Sequence, residues 1–115
     1  MAKERRALQT ALTNLERTMD RTQQVLTEAS ATYGNLRERV ADKIPVAEAF
    51  CDMAMPWADV TAQLDELERA RHRVRTAVFA LGLSEGMTIG ELGRLYGFSR
   101  QLAARVAAEV RRATP

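Results

Sequence analysis

The stretch "LYGFSRQLAARV", Leu95 to Val106, decides how this chain is read. It holds a short apolar run, a glycine, a phenylalanine and a serine, then a helix-like segment with two arginines and a glutamine. Gly97 predicts a helix stop, because glycine adopts a positive φ at low cost. Ser99 predicts the N-cap of a following helix that runs to about Arg112. Upstream, Thr88 and Glu91 have the spacing of a capping box, which predicts a short helix from Ile89 to about Tyr96. The segment therefore reads as short helix, three-residue turn, longer helix. Counting from Ser99, Leu102, Ala103 and Val106 share one helical face, with Val110 a turn further on. Arg100, Gln101, Ala104 and Arg105 fall mostly on the other faces.

Working outward, the first forty residues repeat in alternating steps of four and three. One set is Leu12, Met19, Leu26, Tyr33 and Val40, and the other is Leu8, Leu15, Thr22, Ala29 and Leu36. These are the a and d positions of five heptads, which predict an amphipathic, coiled-coil-like helix on the order of 60 Å long. Leu8, Leu12, Leu15, Met19, Leu26, Tyr33, Leu36 and Val40 are the expected dimerisation residues. Ala7, Ala11 and Val25 widen the stripe, as in a bundle with more than one neighbouring helix. Thr22 and Ala29 are weak core residues. Gly34 costs about 1 kcal/mol in a helix interior and makes "ATYGN" a possible break, with helices near 4–32 and 35–43.

Pro45 ends this region and suits the first turn of a short helix over "PVAEAFCDMAM". Pro56 repeats the device. From Trp57 a second heptad pattern runs through Val60, Leu64, Leu67, Arg71, Val74, Val78 and Leu81, with Gly82 placed to end the helix. The expected fold is all-α. Residues 1–70 form a helical coiled-coil and dimerisation region, and residues 71–115 a C-terminal helix-turn-helix domain.

Composition agrees. The 115 residues are 46% hydrophobic and 5% aromatic, with three prolines and six glycines. That is a Leu, Val and Ala core built from packed helices. The single cysteine, Cys51, excludes an internal disulfide and lies among apolar residues, so it reads as a small buried hydrophobe. No apolar run approaches the roughly 18 residues of a membrane span. The start "MAKERRALQT" lacks the apolar stretch of a signal peptide, so a cytoplasmic, nucleoid-associated location is expected. Net charge is only +2 but unevenly spread: residues 1–44 carry +2, residues 45–70 carry −5 and residues 71–115 carry +5. A basic end beside an acidic middle suits a local polyanion-binding face.

"TIGELGRLYGFSRQLAARV" resembles the helix-turn-helix of bacterial regulators and of the small DNA-binding domains of recombinases and sigma-factor-like proteins. Gly93 is the small residue four positions before the turn glycine, Gly97. Phe98 is the apolar residue after it, and Ser99 opens the recognition helix. "GFSRQLAAR" is close to the form "GVSRQAVSR". Ala103 departs from the branched aliphatic usual there, Phe98 from valine, and Gly90 and Gly93 both weaken a short helix. The resemblance covers about a quarter of the chain. If the preceding helix supplies the third helix of the bundle, it extends over residues 71–113.

The resemblance implies DNA binding through the exposed start of the second helix. Arg pairs bidentately with guanine and Gln with adenine, each worth roughly 1–3 kcal/mol of discrimination. Arg100, Gln101 and Arg105 are the candidates for base edges and Ala104 for a thymine methyl. Ser99, Arg94, Arg111 and Arg112 are placed for phosphates. The expected function is therefore a non-enzymatic, homodimeric binder of double-stranded DNA, a transcriptional regulator or a plasmid or phage site-binding protein. The rival is a helical adaptor that binds another protein, such as part of the transcription machinery, through its heptads or its acidic middle (Asp59, Asp65, Glu66, Glu68). A small helical enzyme is the third class. The one histidine, His72, reads as a solvated helix residue, and no metal-binding, thiol-pair, phosphate-loop or nucleophile motif occurs, so no cofactor or metal is expected.

Overall fold

The computed structural model describes residues 2–113, which form five helices and no strand. They are α1 (Ala2–Ala41), α2 (Val46–Ala49), α3 (Ala54–Ser84), α4 (Ile89–Tyr96) and α5 (Arg100–Ala113). The all-α reading holds. The chain divides into two compact units: one of residues 1–15 with 69–115, the other of residues 16–68. The division cuts α3 between residues 68 and 69. Residues 1–15, however, group with the C-terminal part rather than with the rest of α1.

α1 is unbroken through Gly34, beside which nothing lies within 4 Å of the missing Cβ. Its end is made by Lys43, at φ 62°. The Lys43 amide donates to the Val40 carbonyl at 3.1 Å and the Ile44 amide to the Arg39 carbonyl at 3.1 Å, which satisfies two of the last open carbonyls. Pro45 then starts α2, which is four residues long and shorter than the eleven-residue stretch expected. Cys51 lies in the turn that follows and is exposed, not buried as its apolar neighbours suggested. α3 begins at Ala54, so Pro56 sits inside its first turn, where no intrahelical donor is required.

In the unit of residues 16–68, α1 and α3 run antiparallel, as the pairs Thr22–Gln63 and Tyr33–Trp57 show. α1 buries Thr22, Ala29 and Leu36 and half-buries Thr18, Val25, Thr32 and Arg39, in steps of three and four. Met53, just before α3, and Gln63 within it are buried, and Pro56, Val60 and Leu67 are half-buried. Two of the deepest side chains are polar. Gln63 Nε2 donates to Thr22 Oγ1 at 2.9 Å, and that hydroxyl donates to the Thr18 carbonyl at 2.7 Å. Leaving either partner alone would cost about 1–3 kcal/mol, so the pair penalises any slip of one helix along the other.

The expected dimerisation residues separate into two groups. Leu36 is buried and Leu8 and Leu15 are half-buried within the chain, whereas Leu12, Met19, Leu26, Tyr33 and Val40 are all exposed. The inner stripe uses the smaller residues instead, Ala11, Thr22 and Ala29 among them.

The other unit is centred on Phe79, Leu92, Ala103, Val106, Ala107 and Val110, with Val78, Leu83, Met87, Ile89, Tyr96, Phe98 and Leu102 packed around them. The C-terminal part of α3 is thus the third helix of this core, with α4 and α5. α3 does not stop at Gly82. It continues to Ser84 and ends at Gly86, φ 90°, where the Gly86 amide reaches Leu83 O at 3.1 Å and the Met87 amide reaches Gly82 O at 2.9 Å. Gly82 has a different task. A Cβ there would sit 2.5 Å from Leu92 Cδ2, so its bareness admits the fully buried leucine of α4.

Candidate nucleic-acid interface

The site is built from local chemistry. Thr88 caps α4: its hydroxyl accepts the Glu91 amide at 3.1 Å, and the Glu91 carboxylate accepts the Thr88 amide at 2.9 Å. The backbone amide and hydroxyl of Thr88 hold the Glu91 carboxyl below its ordinary pKa. α4 ends at Gly97, φ 72°, with the Gly97 amide on Arg94 O at 3.2 Å and the Phe98 amide on Gly93 O at 2.8 Å. Ser99 Oγ then accepts the Leu102 amide at 3.2 Å as the cap of α5. The expected turn and cap residues are where the sequence put them.

Gly93 and Ala103 explain each other. A Cβ on Gly93 would lie 2.9 Å from the Cβ of Ala103, and Ala103 is 1% exposed. α4 and α5 therefore approach closely enough that one partner must be glycine and the other no larger than alanine. Phe98 is not an oversized turn residue but one corner of an aromatic trio. Its ring centroid lies 6.2 Å from Phe79 and 5.0 Å from Tyr96, and Phe79 lies 6.1 Å from Tyr96. Burial in this trio raises the Tyr96 phenol above its ordinary pKa. Arg75 of α3 lies over the outer face of Phe98, 5.6 Å from its centroid.

α5 is held by Ala103, Val106, Ala107 and Val110, all buried, and by half-buried Leu102. The opposite surface presents Arg100, Gln101, Ala104 and Arg105, every one exposed. Ser99, Arg94, Arg111 and Arg112 are exposed too, so all eight candidate residues are accessible. Arg94, Ser99 and Arg100 come together around one cleft of about 360 Å³, floored by Gly90, Gly93 and Ala103. Arg111 lies instead at the far end of the helix, in a groove shared with Lys3 and Ala7 of α1.

Sequence reasoning missed several contributors. The unit holding the site carries 12 basic and 4 acidic side chains, net +8, and residues 16–68 carry net −6. Lys3, Arg5 and Arg6 had been counted with the N-terminal region, so residues 71–115 alone showed +5 of this +8. Arg5 is tied to Glu85 at 2.7 Å. Arg69, Arg71 and Arg73 of α3 are exposed in the same unit. His72 is exposed but not merely solvated: its Nε2 lies 3.2 Å from a Glu109 carboxylate oxygen and its Nδ1 2.6 Å from Arg75 Nη2. The tautomer with a proton on Nε2 satisfies both contacts.

Among the described residues no three His, Cys, Asp or Glu side chains gather as a metal site, and no helix is long and apolar enough to cross a membrane. Comparisons with family models, curated proteins and solved structures found no match to this chain.

Proposed function

We propose that this chain is a non-enzymatic helix-turn-helix protein that binds double-stranded DNA as a homodimer, in transcriptional regulation or at a plasmid or phage site. α5 is the recognition helix and α4 crosses the backbone beside it. The observation that carries the reading is the division of labour on α5. One face is fully committed to the core, while the side chains of Arg100, Gln101 and Arg105 stand exposed and make no hydrogen bond or ion pair among the described residues. They have no structural role to explain them, and they stand in a unit of net +8. Two such helices, about 34 Å apart, would read a pseudo-palindromic site.

Fluorescence anisotropy with labelled duplexes across a salt series tests this. Arg100→Ala and Arg105→Ala are each expected to weaken specific binding by about 1–3 kcal/mol at unchanged helicity. Arg111→Ala should weaken all duplexes alike and lower the salt slope by about 1. No binding to any duplex at low salt would end the proposal.

A further inference from the structure

Within residues 16–68 a row of large apolar residues lies on the outside. Met19 is 48% exposed, Leu26 45%, Tyr33 37% and Val40 53% on α1, with Trp57 48% and Leu64 44% on α3. They belong to one face, because the Tyr33 and Trp57 rings meet at 5.3 Å while both remain accessible. Monomeric proteins rarely expose an apolar stripe of this extent.

The borders of this face say what covers it. On α1 the positions just outside the stripe are Gln23, Thr27, Ser30 and Gly34, all uncharged, and on α3 they are Ala54, Ala58 and Thr61. Charge returns only at the ends. Glu16 and Asp20 flank one end of the α1 stripe, and Asp65 and Glu68 flank the same end on α3. Arg37 flanks the other end of α1. Glu16, Asp20 and Arg37 make no ion pair within the chain among the described residues.

We infer that this face is covered by a second copy of the chain, packed with the two α1 helices antiparallel about a two-fold axis near Leu26. A two-fold perpendicular to the helices places each end of the face over the opposite end of its partner. The acidic end of one copy then meets Arg37 of the other, whereas a parallel pairing would stack acid on acid. The register that brings Glu16 level with Arg37 of the second copy also brings Met19 level with Gly34. A bulky residue thus overlies a bare one, which gives Gly34 a role that the single chain does not supply. Residues 16–37 of α1 span about 33 Å, and two helices are about 20 Å wide. The face is then on the order of 650 Å² per copy, about 1,300 Å² in total, within the range of stable interfaces. The inference rests on the dimer in the proposed function and is independent of DNA binding.

The test is sedimentation equilibrium of the full chain with circular dichroism of each variant. The wild type is expected to be a dimer, and Leu26→Glu to raise the dimer Kd at least 100-fold with helicity retained, since Leu26 is already half accessible. Arg37→Glu and Glu16→Arg should each weaken the dimer about tenfold, and the two changes together should restore it. A second substitution, Trp57→Gln, keeps the test alive if Leu26→Glu unfolds the chain, and should also yield monomer. A wild-type monomer at concentrations on the order of 100 µM overturns the proposal. So does a dimer indifferent to Leu26→Glu and Trp57→Gln, or a charge swap that fails to restore association. Anisotropy on the same samples with a duplex carrying a single half-site separates the two proposals, because a half-site engages one helix-turn-helix and does not require the dimer.

Discussion

Replacing Gly93 by alanine should destabilise this protein, although alanine is the better helix former. The propensity gain is about 1 kcal/mol at an interior helical position. Against it stands the 2.9 Å between the new Cβ and that of Ala103. Carbon atoms rest at about 3.5–4.0 Å, so the helices must part by more than half an ångström. Neither methyl can rotate away. Ala103 and its neighbours Leu92, Val106 and Ala107 are at most 1% exposed, so a shift of α5 against α4 disturbs the centre of the core. Overpacking of this kind costs about 1–3 kcal/mol. The net expectation is a loss of up to about 2 kcal/mol, and each kcal/mol lowers Tm by roughly 4–8 °C in a domain of this size.

Urea unfolding followed by circular dichroism measures it, with an unchanged m-value as the check that only stability moved. Gly90→Ala is the control on the same helix. Its Cβ would meet nothing nearer than Arg94 Nη1 at 3.6 Å, so it should stabilise by about 0.5–1 kcal/mol. Adding Ala103→Gly to Gly93→Ala removes the clash and exchanges one propensity term for another. The double variant should return close to the wild type, with a coupling energy of about 1–3 kcal/mol. If Gly93→Ala stabilises as Gly90→Ala does, the close approach of α4 and α5 is wrong.

Lys43→Gly should stabilise by about 0.5–1 kcal/mol in the same assay, because Lys43 occupies the left-handed region at φ 62° where glycine carries no penalty. The Glu91 carboxyl has its pKa lowered in the folded chain, so its contribution is present above the unfolded value of about 4.3 and is lost as pH falls through the folded value. Thermal melts from neutral to acid pH should therefore show the gap between wild type and Glu91→Gln closing on acidification; a gap constant with pH would refute the capping role of the charge.

The parts of the site that were legible in the sequence are those whose partners lie within about five residues. Thr88 and Glu91, Gly97, and Ser99 with Leu102 each close a local bond, and local rules found them. Gly82 and Gly86 show the opposite case. Both glycines fit a helix end after α3. What decides between them is Leu92, whose side chain needs position 82 bare, a contact ten residues away that no local rule contains. The two edges of the heptad seam could not be told apart for a related reason. Periodicity gave the phase of α1 but not which edge of a wide stripe faces its own chain. The hairpin within residues 16–68 chose Thr22 and Ala29, because small side chains and one bonded polar pair let α1 and α3 fit together.

The same division of surfaces bears on how net charge should be read. A total of +2 suggests a protein with little attraction for a polyanion, yet that total is the sum of +8 and −6 held in separate compact units. Salt screens beyond about 8–10 Å at ordinary ionic strength, so a duplex lying on α5 responds to the arginines around it and not to the total. The steepness of binding with salt then counts the phosphates those side chains neutralise, about 0.9 in slope for each, and a chain of nearly balanced charge can still bind with a strongly salt-dependent affinity. Under the proposed function, the acidic unit would oppose loose, sequence-blind coating of DNA by the rest of the chain. In the proposed dimer, that unit would also leave the pairing of copies to an uncharged face whose few border charges complement one another only in the antiparallel arrangement.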